Sequence, residues 1–451
     1  MKGRTGKPQT TKAPAVSEVN PPPSLARLLD EFRPCFSAWT FPVFCALACG
    51  LVAQVGKRTV CGMLIGARLS QTWTHHRAHR FFSHARWSPQ AVSETLARLV
   101  VRLVCSTDEA ITVAVDDSLF ARRGKKVHAA GWFHDGSAVG DKKIGYGNNW
   151  VVAAIVVRLA LVHRPVALPV GFALIHKGSE DSSRLEAARR LVCALSDALP
   201  GRRIDVVADS AYAGKALRGL PEQVTWTTRL RSNAALYQLP PERTGRRGRP
   251  RTKGDRLDPL AALAQKASFI EATVHRYGKE ANVRIATVSC LWYRVFGTQP
   301  VTVVFVRDKH STGYDVALVT TDISATPTTI IERYAARWSI EVAIEDAKGT
   351  IGVGQARNRT PLAVERAVPF GFVVGTIAVV WYVTAGHHPD DVQQVRERSP
   401  WYHDKVQPSV LDMFAKLRRV IIAAQYPRTQ PTAVTSAEIT LLRLAWEDVA
   451  A

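Results

Sequence analysis

The chain has 451 residues, 46% of them hydrophobic and 22% charged, which excludes wholesale disorder, collagen and a coiled coil and at roughly 150 residues per domain allows two to four domains. Sixty Lys and Arg stand against 38 Asp and Glu, a formal charge of +22, so a polyanionic partner is expected, either nucleic acid or an anionic membrane surface. Seven cysteines form no CxxC pair and are odd in number, so a reduced chain without structural zinc is expected.

Residues 1–23 are rich in Lys, Thr and Pro and have little to bury, so they are expected to be a disordered basic tail with no signal-peptide core. Apolar residues then recur at helical spacing through residues 24–106. The clearest segment there is residues 93–104, with Ser93 as its expected N-cap. Residues 74–87 interleave Arg77, Arg80 and Arg86 with aromatic rings. They suit either a DNA-contacting helix or a solvated helix with half-buried rings, and their four histidines are not expected to hold metal.

At Ile111 the pattern changes to strands. ITVAVDDS ends in acid, two more β-branched runs follow (149–162 and 165–178), and residues 182–199 form an amphipathic helix opening on serine. IDVVADSAY is a buried strand ending in acid, and VTWTTRL is another. Three antiparallel strands followed by parallel ones reached through helices is the order of an RNase H-like sheet, a mixed α/β fold with flanking helices. A Pro/Arg/Gly loop and three β-like runs between Ser232 and His310 read as an inserted β-rich subdomain. One long helix is expected over 326–349, with Thr326 as N-cap, Pro327 at its first position and Gly349 to stop it. Residues 370–385, after Pro369, are too short to span a bilayer and read as a core helix, so no membrane partner is expected.

Asp116, Asp117 and Asp209 stand at strand ends, where a carboxylate beside a core needs pairing or a cation. Hard oxygen ligands suit Mg²⁺ or Mn²⁺. On one ideal helix Tyr334, Arg337, Glu341 and Lys348 fall within a stripe about 60° wide at about 100° per residue, and Glu345 lies close to that stripe too. The spacing Tyr-x2-Arg-x3-Glu-x6-Lys (Tyr334, Arg337, Glu341, Lys348) resembles the signature of a group of bacterial insertion-sequence DDE transposases. Asp116-Asp117-Ser118 is similar to their first-strand Asp-x-Ser, and Asp209 to their second acid; the resemblance covers roughly residues 107–385.

This resemblance implies that Asp116, Asp209 and Glu341 are catalytic and hold two Mg²⁺ or Mn²⁺ ions, with Asp117 a rival to Asp116. The implied reaction cleaves phosphodiester bonds at transposon ends and joins the freed 3′-OH to target DNA. Tyr334 and Arg337 would contact the 5′-phosphate side of an end, Lys348 a phosphate, and Tyr314 would stand where relatives carry a base-stacking aromatic. Partners would be terminal inverted repeats and target duplex, bound by a homodimer in the bacterial cytoplasm at the nucleoid.

Two basic runs add to the expected DNA contacts. One is Arg122, Arg123, Lys125 and Lys126 just after the first acids. The other is a loop over 242–256 whose Arg247-Gly248-Arg249-Pro250 suits either an A·T minor groove or unspecific phosphate contact. The organisation expected is a tail (1–23), a helical DNA-binding domain (24–106), a catalytic core in two parts (107–231 and 314–386), a β-rich insertion (232–313) and a C-terminal helical region (387–451). Two alternatives share the fold: a DNA-binding protein that has lost its chemistry, and another RNase H-like nuclease.

Overall fold

The computed structural model describes residues 19–136, 143–178, 183–242, 250–308 and 311–425. Most of the expected tail, and Arg247 and Arg249 of the basic loop, lie outside the described residues.

Five helices open the chain: α1 (Pro23–Asp30), α2 (Phe41–Ala53), α3 (Val60–Gly66), α4 (His75–Ser83) and α5 (Pro89–Val104). α5 starts one turn earlier than expected. Ser88, not Ser93, accepts from the Ala91 amide, and Pro89 occupies the first position, where its missing N–H costs nothing. The rings of residues 74–87 point inward: Phe81, Phe82 and Trp87 are buried with Phe44 and Phe370, and the buried Arg366 donates to the carbonyls of Phe82 and Trp87. These rings are core, while His75, His76, Arg77 and Arg80 remain exposed. Helices α1–α5 share one continuous hydrophobic core with the sheet described next.

The sheet begins with β1 (Ile111–Ala121), β2 (Gly131–His134), β3 (Ile144–Val157) and β4 (Val166–Leu174). Helix α6 (Arg184–Ala198), capped by Ser183, crosses to β5 (Ile204–Ala208), and β6 (Val224–Arg229) follows after a single 3-10 turn at Lys215–Leu217. β1 pairs antiparallel with β3, β3 antiparallel with β4, and β5 lies parallel to both β1 and β6. The strand order β4-β3-β1-β5-β6, three antiparallel and then parallel, is the RNase H-like arrangement. β4 stops at Leu174 rather than at Gly178. β1 does not end at its acids; only its pairing with β5 ends there, at Val115 opposite Ala208, while pairing with β3 continues to Ala121.

Helix α7 (Leu260–Lys266), β7 (Ile270–Arg276), β8 (Lys279–Leu291), the single turn α8 (Tyr293–Phe296) and β9 (Pro300–Asp308) follow. Their strands do not form a sheet of their own, although Val274, Val283, Ile285, Val304 and Val306 bury into a hydrophobic cluster separate from the main core. β10 (Val316–Thr320) pairs antiparallel with both β6 and β9, so β9, β8 and β7 extend the same sheet to ten strands among the described residues. Their unpaired edges find partners most readily on a sheet already formed.

The expected single helix is two: α9 (Pro327–Ala336), capped by Thr326, and α10 (Trp338–Gly349). They meet at Arg337, where the amide of Arg337 bonds to the Tyr334 carbonyl and that of Ile340 to the Arg337 carbonyl, a tightening to three-residue bonds. α11 (Pro361–Trp381) runs through Pro369 instead of starting after it, and a π-helical turn extends it to Gly386. It is long and apolar enough to cross a membrane, but 89% of its most apolar window is buried inside the protein. The lost hydrogen bond at Pro369 is outweighed by burial on all sides. α12 (Asp391–Arg398) and α13 (Val410–Ala424), which opens on a Ser409–Asp412 capping box, complete the described chain.

Candidate active site

Successive residues of a strand face opposite sides, so Asp116 and Asp117 part company. Asp117 is spent on the α6 side: its carboxylate accepts from the buried Tyr212 hydroxyl (2.9 Å) and Asn149 Nδ2 (3.0 Å), and pairs with Arg184 of α6 at 3.2 Å. Asp116 faces the junction of α9 and α10. Arg337 Nη1 stands 3.6 Å from Asp116 Oδ2, and its Nη2 donates to Glu341 Oε1 at 2.7 Å. Asp209 is the residue just beyond Ala208, which pairs with Val115; it therefore leaves β5 beside the point where Asp116 leaves that pairing. Its backbone carbonyl is fixed by Thr228 Oγ1 and the Tyr212 amide, both at 2.9 Å.

Tyr334 completes the group. Arg337 Cζ lies 5.8 Å from its ring centre, and its phenol senses the charges of Asp209 and Arg229. Arg229, exposed at the end of β6, is a cation at this site that sequence reasoning overlooked; a charge closing the last parallel strand was the available signal. Glu345 is exposed, whereas Glu341 is half-buried and bonded to Arg337. Lys348 sits farther along α10, its ammonium 5.2 Å from the Phe120 ring, where burial lowers its pKa against the pull of Asp135.

Other expected DNA contacts fare differently. Arg122 is buried, its guanidinium donating to Asn148 Oδ1 (2.8 Å) and to the carbonyls of Gly354 (2.8 Å) and Ala356 (3.2 Å), so it is a clamp and not a phosphate ligand. Gly354 is held at φ +90°, where a side chain would also strike Phe120 at 2.6 Å. Arg123, Lys125 and Lys126 are exposed. Tyr314 lies in the turn before β10, half-buried against Phe305 (5.4 Å between ring centres).

Burial pushes the Asp116 carboxyl up to about 6; the Asp117 amide and Arg337 oppose the shift, and Asp117 and Glu341 add to it. For Arg337, burial alone would loosen the proton, but Tyr334, Glu341 and Asp116 together hold it more tightly than usual. Two acids sharing one buried guanidinium is a cation-seeking arrangement, and all three candidate acids offer hard oxygen donors, so the residues fit a divalent ion. They are not drawn to ligand spacing around Arg337. Among the described residues, the group that brings three donor atoms within 4.8 Å of one another is His128, His176 and Glu365.

The raised Asp116 pKa carries a stability consequence. Between an ordinary 3.8 and about 6 the folded chain keeps a proton that the unfolded chain releases, so stability falls as pH rises through that window. In EDTA, Asp116→Asn is therefore expected to stabilise the protein by about 1–3 kcal/mol at pH 7.5 and by little at pH 4. Urea unfolding at the two pH values tests this, and a variant weaker than wild type at pH 7.5 would refute it.

A cavity of about 1030 Å³ borders Trp338, Val342 and Asp346 on a different face of α10 and is not the carboxylate site.

Among solved structures, a piggyBac transposase synaptic complex with hairpin DNA is similar at 12% identity and a TM-score of 0.39, over 95% of this chain and 80% of that one. At that distance the likeness carries no correspondence between residues. No curated protein matches the chain in sequence. The family model of the DDE superfamily endonucleases matches residues 31–294, a span that includes Asp116 and Asp209 and stops short of α10. That match takes in more than half of the chain, which therefore belongs to the DDE superfamily endonuclease family.

Proposed function

We propose that this protein is a DDE transposase of the bacterial insertion-sequence type, which cuts DNA at the ends of its element and joins the freed 3′-OH to target DNA. The observation that carries the proposal is the meeting of three acids at one end of the sheet. Asp116 and Asp209 leave adjacent parallel strands together, and Glu341 reaches Asp116 through Arg337. Asp116, Asp209 and Glu341 would hold two Mg²⁺ or Mn²⁺ ions, which when bound activate the attacking oxygen and stabilise the leaving one.

The chain's own groups do the rest. Arg337 neutralises Asp116 and Glu341 in the resting protein and is released to a phosphate when a stronger cation takes its place. The charges of Asp209 and Arg229 both act on the Tyr334 phenol, where the DNA end would lie, and Lys348, half-buried with Asp135 near it, would gain a further charge partner from a phosphate. The net charge of +22 draws duplex to the protein, and Arg123, Lys125 and Lys126 are exposed to meet it. Two ends must be cut together, so the working unit on DNA is a homodimer.

The test uses labelled duplex carrying the inverted repeats that flank the gene. Nicking at the repeat boundary is expected with Mg²⁺ or Mn²⁺ and none with EDTA. Binding should weaken by about 10³-fold or more between 50 and 200 mM salt if six or more phosphates are contacted. Tight, salt-sensitive binding without cleavage in either metal would instead assign a DNA-binding protein in which Arg337 permanently occupies the place of the ions.

A further inference from the structure

We propose that His128, His176 and Glu365 form a second metal site, for a zinc-like divalent transition ion, which fastens the basic loop after β1 to the body of the protein. The proposal does not rest on the cleavage reaction. The three residues come from the loop following β1, the segment two residues past β4, and α11, yet their donor atoms lie within 4.8 Å of one another. His128 Nε2 stands 3.6 Å from Glu365 Oε1, and the two imidazole rings are 5.3 Å apart. Three ligands about 2 Å from a tetrahedral ion stand about 3.4 Å from one another, so a small contraction completes the set.

Two observations point to a ligand rather than to a bare ion pair. His128 Nε2 is buried without a hydrogen-bond partner among the described residues, an expense that an ion would remove. The His128 backbone is also pinned on both sides: its amide donates to the Arg359 carbonyl at 3.0 Å, and its carbonyl accepts from Asn148 Nδ2 at 2.8 Å. The backbone that carries the ring is thereby held in place before any ion arrives. His176 and Glu365 also border a cavity of about 500 Å³, which supplies an entry path and room for water at the fourth position.

The donor set discriminates. Two imidazoles and one carboxylate suit Zn²⁺, Co²⁺ or Ni²⁺, whereas Mg²⁺ prefers oxygen alone, so this site and the three acids would select different ions. Arg123, Lys125 and Lys126 lie two to five residues before His128 and are exposed, so an ion here would set where that basic run meets DNA.

The test is zinc binding to the full chain, stripped with EDTA, dialysed, and held in excess Mg²⁺ to mask the carboxylates. Wild type should take up one Zn²⁺ tightly, show the visible absorption of a tetrahedral site with Co²⁺, and melt at a higher temperature with zinc. The double variant His128→Ala/His176→Ala should bind at least 100-fold more weakly, and Glu365→Gln at least tenfold, with unchanged far-ultraviolet circular dichroism. Should the double variant not fold, the Glu365→Gln comparison alone decides. Zinc uptake that is absent from wild type, or equal in wild type and variants as the free thiols would give, overturns the proposal.

Discussion

Glu341→Gln, Asp116→Asn and Asp209→Asn are each expected to lower metal-dependent cleavage of end DNA by about 10³-fold or more, a loss of about 4 kcal/mol of transition-state stabilisation. Each removes one anionic oxygen from a set of three that shares the ions, so double variants should be little worse than singles. Asp117→Asn makes the contrast. Its carboxylate is engaged by Tyr212, Asn149 and Arg184 on the other face of β1. It should keep cleavage within about tenfold of wild type and lose about 1–3 kcal/mol of stability as that buried network is broken. Single-turnover cleavage with each purified variant, paired with thermal unfolding, separates the two. If Asp117→Asn abolishes cleavage in a folded protein while Asp116→Asn retains it, the proposed triad is wrong.

The second large effect is structural. Asp205 of β5 and Asp322 after β10 are almost fully buried, at 2% and 3% exposure. Arg333 of α9 bonds both, at 2.8 Å and 3.0 Å, and Arg203 joins them from the chain just before β5. Thr225 Oγ1 also donates to Asp205 at 2.6 Å. This network seats α9 on the sheet, and α9 in turn delivers Arg337 and Glu341 to Asp116.

Arg333→Met would strand buried carboxylates and is expected to cost about 3–5 kcal/mol. The triple change Arg333→Met/Asp205→Asn/Asp322→Asn should recover much of that loss, because the desolvation cost leaves with the charges. Burial alone would raise the Asp322 carboxyl, but Arg333, Ser324 and Arg203 hold it below its ordinary range. Its contribution is thus complete above the ordinary carboxylate pKa and is lost as pH falls below that value. Urea midpoints for the single and triple variants, at pH 7 and pH 3, check both statements. A single variant as stable as wild type at pH 7 would show that the network contributes nothing.

Local chemistry was legible without the fold. Thr326-Pro327 marked the start of α9 and Ser183 that of α6, because caps are written within four residues of chain. The strand runs that became β3, β4, β5 and β6 stood out because buried strands of a mixed sheet are almost continuously apolar. β2, only four residues and half-exposed, lacked that signature and was overlooked.

Contacts between distant segments were decided only by the tertiary structure. Period-two alternation says that Asp116 and Asp117 face opposite ways, but which side receives α10 depends on how the chain crosses the sheet. A straight stripe at 100° per residue placed Arg337 and Glu341 together for a reason that only partly holds, since the helix breaks at Arg337 and a four-residue ion pair spans the break. Arg122 resembles its basic neighbours in sequence, yet only the fold brings the carbonyls of Gly354 and Ala356 onto it. The meeting of Arg333 with Asp205, like that of His128 with His176 and Glu365, joins residues 48 or more positions apart. A sequence records which side chains seek a partner; burial, which is settled only when the layers pack, decides which partner each one finds.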